Sequence, residues 1–130
     1  TLNLTKNQQT VLDILESASE PLKAYTILFD IQKKGIKSPL QVYRALDKLI
    51  EIGKVHKIES RNSYVACKHE SCNAKTSTSF LICENCDSVT ELIGNNLISY
   101  FSKQAEKINF NYKKHNLEIF GLCENCKLKN

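Results

Sequence analysis

Two copies of the tetrapeptide Cys-Glu-Asn-Cys are the residues of this chain whose type and spacing most clearly carry chemistry. They are Cys83–Cys86 and Cys123–Cys126. A Cys-x-x-Cys turn points two thiolates the same way at roughly 3.7 Å, the spacing that a tetrahedral metal requires with Zn–S bonds of about 2.3 Å. Two such turns complete a four-thiolate shell with no open position, which is typical of structural zinc. A redox dithiol and disulfides are the alternatives, but the matched pair favours zinc.

The composition limits the class of protein. Of 130 residues, 42% are hydrophobic and 25% are charged, which is ordinary for a globular protein and argues against disorder. No apolar run approaches the ~18 residues of a membrane span, and the N-terminus lacks the pattern of a signal peptide. Six cysteines without an export signal therefore predict a reducing, cytoplasmic location. The net charge of +4 is compatible with a polyanionic partner but does not identify one.

Two amphipathic helices are predicted before residue 36. Thr5 and Gln8 fit a capping box at the start of the first helix. A turn follows at residues 19–21, and the second helix ends at Gly35. The expected apolar faces are Val11, Leu12, Ile14 and Leu15 in the first helix, and Ala24, Ile27, Leu28 and Ile31 in the second.

The third helix has the strongest boundary signals. Ser38 is the expected N-cap, Pro39 the first helical residue and Gln41 the reciprocal cap partner, while Gly53 follows the helix. Its apolar stripe is Val42, Ala45, Leu46 and Leu49. Its outward face carries Gln41, Arg44 and Lys48, flanked by Tyr43. These side chains can donate hydrogen bonds to phosphates and base edges in a major groove, although a merely solvated helix face has a similar composition.

A β-hairpin is predicted after the third helix, and it favours the DNA-binding interpretation. Its strands are residues 55–59 and 63–67, joined by a polar turn at residues 60–62. Three helices followed by a hairpin predict a winged helix in which the third helix is the recognition helix. Arg61 at the hairpin tip is expected over the phosphate backbone, and Tyr25 in the second helix is a further candidate DNA contact.

The second half predicts a three-stranded sheet and one helix. The strands are expected at residues 80–83, 88–92 and 112–120. Asn95 or Asn96 caps the helix, whose apolar residues are Leu97, Ile98, Phe101, Ala105 and Ile108. Because so few elements cannot cover both faces of a sheet, we expect a homodimer.

The fold class is therefore α+β. Residues 1–67 form the winged-helix DNA-binding domain, residues 68–79 a metal-binding linker, and residues 80–130 a zinc-binding α/β dimerisation domain.

Several of these motifs together resemble a known family. They are Val42-Tyr43-Arg44-Ala45-Leu46, the hairpin block that begins Val55-His56-Lys57-Ile58 and continues with Ser63-Tyr64-Val65, and the two Cys-x-x-Cys turns. This combination is similar to the ferric uptake regulator superfamily, and most similar to its zinc uptake regulator branch. The match covers almost the whole chain. It lacks only the extra N-terminal helix that many members carry before Leu4.

The resemblance implies a dimeric zinc-responsive repressor of zinc-uptake genes, which binds double-stranded operator DNA when a second, sensory zinc is present. Each monomer would hold one structural and one regulatory zinc. The sensory ligands implied by position are His56, Cys67 and Glu91. Imidazole and thiolate suit zinc, and the carboxylate completes the charge.

The fourth sensory ligand departs from the family pattern. The family places a histidine where this chain has Thr76, and threonine is not a credible zinc ligand. Cys72 or His69 is expected to substitute, with Cys72 preferred because it lies closer to that position. His115 falls where relatives often carry a metal-binding histidine, but it is expected not to be a ligand.

Other functions remain as alternatives. An iron- or peroxide-responsive regulator of the same superfamily is the nearest, although only three histidines are present, which favours zinc over iron. A thiol redox switch would instead form a disulfide between Cys67 and Cys72. A metalloenzyme is not expected, because no acid–base pair, phosphate loop or nucleophile elbow accompanies the cysteines. No small organic substrate and no membrane partner are expected either.

Overall fold

The computed structural model describes residues 3–67, 77–92 and 96–128. The described residues up to Cys67 belong to one compact unit, and those from Ser77 onwards belong to a second. Within these ranges no helix combines the length and the apolar character needed to cross a membrane.

The described part of the first unit contains three α-helices, a three-stranded sheet and a short 3-10 helix at Glu59–Arg61. The helices are α1 (Lys6–Ser17), α2 (Ala24–Gln32) and α3 (Pro39–Glu51), and the strands are β1 (Leu22–Lys23), β2 (Val55–Ile58) and β3 (Ser63–Ala66). The sheet order is β1-β3-β2, with both pairs antiparallel. This is the winged helix that the sequence predicts, with one strand more than expected, because Leu22 and Lys23 pair with Tyr64 and Ser63.

Residues of the helices and of strands β2 and β3 form the core of this unit. The predicted capping box is present at the start of α1, where Thr5 N donates to Gln8 Oε1 at 3.0 Å and Gln8 N donates to Thr5 Oγ1 at 3.2 Å. Val42, Ala45, Leu46 and Leu49 of α3 are all buried, as predicted. They pack in one cluster with Val11, Leu12, Leu15, Ala24, Ile27 and Ile31, while Ile14 and Leu28 are partly buried at its margin. The buried stripe of α3 therefore fixes which face of the helix points outward.

The ends of α3 differ in how well the sequence predicts them. Ser38 is the N-cap, but its side chain makes no capping hydrogen bond, so the predicted pairing with Gln41 is wrong. Instead the backbone N–H of Gln41 donates to the Ser38 carbonyl at 3.1 Å, and Pro39 removes one N–H that would otherwise need a partner. At the other end Gly53 has φ +81°, the left-handed conformation that glycine adopts without strain.

The second unit is built around a central strand. The strands are β4 (Thr78–Cys83), β5 (Val89–Glu91) and β6 (Asn116–Gly121), in the order β5-β4-β6. β5 is antiparallel and β6 parallel to β4. The helices are α4 (Asn96–Glu106) and the short α5 (Glu124–Lys127). The predicted fold class, α+β with a winged helix followed by a three-stranded α/β unit, is confirmed, although α5 was not expected.

The end of α4 and the start of the last strand differ from the prediction. α4 ends at Glu106, so Ile108 lies beyond the helix and is 75% exposed. The cause is Asn109, whose left-handed φ of +58° turns the chain so that Phe110 N donates back to Ala105 O at 2.9 Å. The last strand begins at Asn116 rather than at Tyr112.

Candidate metal centre and nucleic-acid interface

The first Cys-x-x-Cys segment is a tight turn at the end of β4. Cys83 is the last residue of the strand, and Asp87 follows the turn with a left-handed φ of +61°. Asp87 N donates to Cys83 O at 3.0 Å, and Cys83 N donates to Ser88 O at 2.9 Å. These backbone bonds hold both cysteines of the segment on one side of the turn.

The second Cys-x-x-Cys segment has a different conformation. Cys123 is the N-cap of α5, and Cys126 lies within that helix and is buried. The backbone links the two segments, because Glu84 N donates to Gly121 O at 2.8 Å. The parallel pairing of Cys83 with Gly121 at the ends of β4 and β6 thus brings distant parts of the sequence together.

The four sulfur atoms form one cluster. The Sγ atoms of Cys83, Cys86, Cys123 and Cys126 all lie within 4.8 Å of one another. The Cys86 and Cys123 sulfurs are 3.8 Å apart, close to the separation of about 3.7 Å that four Zn–S bonds impose. The donor set is therefore suited to a tetrahedral thiophilic ion, and zinc fits it.

Hydrogen bonds shift the pKa values of these thiols in different directions. Backbone hydrogen bonds from Cys86 and Cys123 lower the pKa of Cys83 to about 6. The pKa of Cys123 is also lowered, first by a backbone hydrogen bond from Cys126. The Asn85 amide lowers the pKa of Cys126, but hydrogen bonds with Cys123 and Cys83 outweigh it and raise that pKa to about 11. Because zinc binds thiolates, loading the cluster releases the protons that these thiols still carry.

The sequence-predicted sensory ligands are divided between the two units. His56 is in β2 opposite Val65, and Cys67 continues β3 by donating its N–H to Lys54 O at 2.9 Å. His56 and Cys67 are therefore diagonal neighbours on one face of the hairpin, opposite the face where Val55 and Ala66 are buried. Cys67 is disulfide-bonded. Glu91 ends β5 in the second unit, and His69, Cys72 and Thr76 lie outside the described residues.

His115 takes part in a hydrogen-bonded network within the second unit. Its Nδ1 lies 2.6 Å from the Tyr112 hydroxyl and its Nε2 lies 3.4 Å from Ser79 Oγ. Its ring packs edge-on against Phe101, with centroids 5.1 Å apart. Desolvation by burial lowers the pKa of His115. Both ring nitrogens thus have protein partners, and the neutral imidazole is favoured.

The outward face of α3 presents the polar side chains that the sequence predicts. Gln41, Arg44 and Lys48 are exposed, and Tyr43 is 41% exposed. Lys48 Nζ lies 3.8 Å from Glu51 Oε2, and both side chains are largely in solvent. Solvent screening makes such a surface pair weak, so Lys48 can exchange this partner for a phosphate.

Lys23, which is not among the predicted functional residues, stabilises the hairpin turn. Lys23 Nζ donates to Arg61 O at 3.2 Å, and Ser63 Oγ donates to the same carbonyl at 2.9 Å. Lys23 was missed because β1 has only two residues, too few for a period-two pattern. Tyr25, the other predicted contact, is 70% exposed at the start of α2.

Together, the fold and the sites define a class of two-unit protein, in which a winged helix is followed by an α/β unit with a cluster of four cysteine sulfurs. The chain belongs to the ferric uptake regulator family, whose family model matches residues 1–120.

Zinc uptake regulators are among the proteins that this chain is similar to. The zinc uptake regulation protein of Escherichia coli is 34% identical over 126 residues, covering 96% of this chain and 73% of that protein. The crystal structure of holo XcZur is similar with a TM-score of 0.85 and 38% identity, covering 98% of this chain and 88% of that one. A zinc uptake regulator complexed with zinc and DNA is similar with a TM-score of 0.86 and 31% identity. The match covers 98% of this chain and 85% of that one.

Proposed function

We propose that this protein is a zinc-responsive, DNA-binding transcriptional repressor of zinc-uptake genes. The observation that carries the proposal is the four-sulfur cluster in a chain whose winged helix exposes Arg44 and Lys48 on its third helix. The similarity to a zinc uptake regulator complexed with zinc and DNA supports the same function. Regulation by zinc, rather than catalysis, is the role we assign to the metal.

The proposed DNA contact is the outward face of α3 with the hairpin beside it. Gln41, whose side chain is not used in capping, and Arg44 would contact base edges in the major groove. Lys48 would contact phosphate, and so would Arg61, whose main-chain position is fixed by Lys23 and Ser63. Tyr25 and Tyr43 are further candidate contacts on the exposed surface of the same unit.

The proposed oligomer is a homodimer formed by the second unit. No described residue of α4 is buried, and the unit also exposes Leu81, Ile119 and Phe120 by about two-fifths to one-half. β5 and β6 are edge strands within the described sheet. An apolar surface of this kind with open strand edges is stabilised when a second copy covers it.

The proposed metal content is two zinc ions per monomer. One is the structural ion held by Cys83, Cys86, Cys123 and Cys126. The other is a sensory ion with His56, Cys67 and Glu91 as ligands and Cys72 or His69 as the fourth. Binding of one ion by residues of both units would favour the arrangement of the units that fits two DNA half-sites.

The test measures metal and DNA binding together. Purified protein is analysed for zinc before and after a mild chelator, and each sample is titrated with operator DNA. We expect two zinc ions per chain initially, one after chelation, and operator affinity that falls on chelation and returns with added zinc. A chelated sample that binds its operator unchanged would contradict zinc-responsive repression.

A thiol redox switch is the second candidate, because Cys67 is disulfide-bonded in the structure. A sulfur in a disulfide cannot be a thiolate ligand, so oxidation of Cys67 and zinc binding by Cys67 exclude each other. The two candidates are separated by treating zinc-loaded protein with peroxide. A redox switch predicts loss of operator binding that a thiol reductant restores without added zinc.

A further inference from the structure

Asn85 and Asn125 occupy the same position in the two identical tetrapeptides, but the structure gives them different surroundings. Asn85 Nδ2 donates to Cys126 Sγ at 3.3 Å, reaching from the first segment to the last cysteine of the second. Asn125 lies in α5 and is exposed. Among the hydrogen bonds of the described residues, none joins the Asn125 side chain to a sulfur. The two identical tetrapeptides thus adopt different conformations, and their asparagine side chains make different contacts.

The two asparagines differ in their contacts because the backbone of each segment has a different conformation. In the first segment, residues 84–86 form a turn closed by the left-handed Asp87, which directs Asn85 across the cluster. In the second, Cys123 begins a helical turn, so the Asn125 side chain projects outward from α5. The Asn85 amide therefore reaches from the first segment to Cys126 of the second, in addition to the backbone bond between Glu84 and Gly121.

We propose that Asn85 is a positioning residue of the four-cysteine site, and that its amide holds Cys126 Sγ in place and slows release of the bound metal. This proposal rests on the assignment of zinc to the four cysteines. Four thiolates carry two more negative charges than one Zn²⁺ neutralises, so an N–H donor to sulfur stabilises the loaded site. Cys126 is buried, and the contact comes from a part of the chain 41 residues away. Residues that hydrogen-bond to metal ligands in this way commonly change metal affinity by about 10- to 100-fold when replaced.

The experiment compares two positions with the same residue. Asn85→Leu removes the donor but keeps the branching at Cγ, and Asn85→Asp replaces it with an oxygen that repels thiolate. Asn125→Leu and Asn125→Asp are the matched controls. Because both asparagines are exposed, all four variants are expected to fold. Zinc loading is measured first, and then the rate of zinc transfer to an excess of a coloured chelator.

We expect Asn85→Leu to release the tightly held zinc about tenfold faster and Asn85→Asp faster still, with both Asn125 variants within about twofold of the unchanged protein. A second measurement uses the protein with Co²⁺ in place of zinc. Loss of the donor raises the energy of the sulfur lone pairs, so the sulfur-to-cobalt charge-transfer band should shift to longer wavelength in Asn85→Leu but not in Asn125→Leu.

The possible outcomes distinguish failure of the role proposed for Asn85 from failure of the zinc assignment to the four cysteines. An unchanged protein without a tightly held zinc would overturn the structural assignment itself. A tightly held zinc that the Asn85 variants release at the unchanged rate would overturn the role of Asn85 alone. Equal acceleration in Asn85 and Asn125 variants would also overturn it, because general loosening of the segments would then explain the effect.

Discussion

Arg44 and Lys48 lie one turn apart on the exposed face of α3, but their chemistry differs. The Arg44 guanidinium presents a planar fork that matches the two acceptors of a guanine edge, worth about 1–3 kcal/mol of discrimination. Lys48 has a point charge with a weak intrahelical partner in Glu51. We expect Arg44→Ala to lower the ratio of specific to non-specific DNA affinity. Lys48→Ala should weaken both affinities and reduce their dependence on salt.

Titration of operator and scrambled DNA at several salt concentrations measures both effects. Glu51→Ala is the control, since it removes the partner of Lys48 but leaves both cations. Small and equal losses for Arg44→Ala and Lys48→Ala would instead mean that this face of α3 is only solvated.

Individual residues also show which structural features could be predicted from the sequence alone. The cap at Thr5 was predictable because both halves of the box are local and three residues apart. The same reasoning was wrong at Ser38, where backbone bonds and Pro39 already satisfy the helix end. The bond from Asn85 to Cys126 could not be predicted at all, because it depends on which of two identical tetrapeptides forms a turn and which forms a helix.

Among the elements, the segment that leads into β6 depends on His115. Besides its ring contacts, His115 N donates to Ser77 Oγ at 3.2 Å and its carbonyl accepts from Thr78 N at 3.0 Å. The His115 ring therefore joins β4, α4 and the chain before β6. We expect His115→Ala to leave the Tyr112 hydroxyl without its 2.6 Å partner and to lower the free energy of unfolding by about 1–3 kcal/mol.

Thermal unfolding measures this loss, and metal analysis distinguishes it from a ligand role. Zinc per chain should be unchanged in His115→Ala, because both ring nitrogens already have protein partners. Lys113→Ala, at a nearby exposed position, is the control for a general effect of substitution. Loss of one zinc from His115→Ala with unchanged stability would show that His115 is a ligand after all.

The elements themselves were largely predictable where one face is buried. α1, α2 and α3 have period-3.6 apolar stripes that pack on one core, and the structure contains all three. The prediction was less accurate in the second unit, where no described α4 residue is buried and Asn109 ends the turn after the helix. β1 and α5 are too short to show a periodic pattern of apolar residues in the sequence. They can therefore be recognised only in the structure.

For the whole molecule, the four-cysteine cluster connects the end of β4 with the C-terminal segment. We expect Cys123→Ser to release the structural zinc, because a serine hydroxyl does not replace a thiolate ligand. Since metal binding at such a site contributes directly to folding, the variant should also lose the dimer and DNA binding. Zinc analysis and light scattering check both, with Ser88→Ala, close to the cluster but not a ligand, as the control. A zinc-replete dimer of Cys123→Ser would contradict the structural role.

The proposed coupling between metal binding and DNA binding would also be a property of the whole molecule. His56 and Cys67 share one face of the hairpin in the first unit, and Glu91 belongs to the second. If one ion binds all three, it restrains the angle between the units and therefore the spacing of two α3 helices in a dimer. A tenfold preference for the DNA-competent arrangement corresponds to about 1.4 kcal/mol. Linkage then requires operator DNA to tighten zinc binding by the same factor.

Cys67→Ala tests this coupling without disturbing the other site. It should abolish zinc-dependent operator binding but leave one zinc per chain and the dimer intact, because Cys67 lies outside the four-sulfur cluster. The removed sulfur is also the one in the disulfide, so zinc titrations under reducing conditions isolate the metal effect. Cys72→Ser and His69→Ala, tested separately, identify the fourth ligand as the variant that behaves like Cys67→Ala. If Cys67→Ala still bound its operator only with zinc, the sensory site would not include the hairpin.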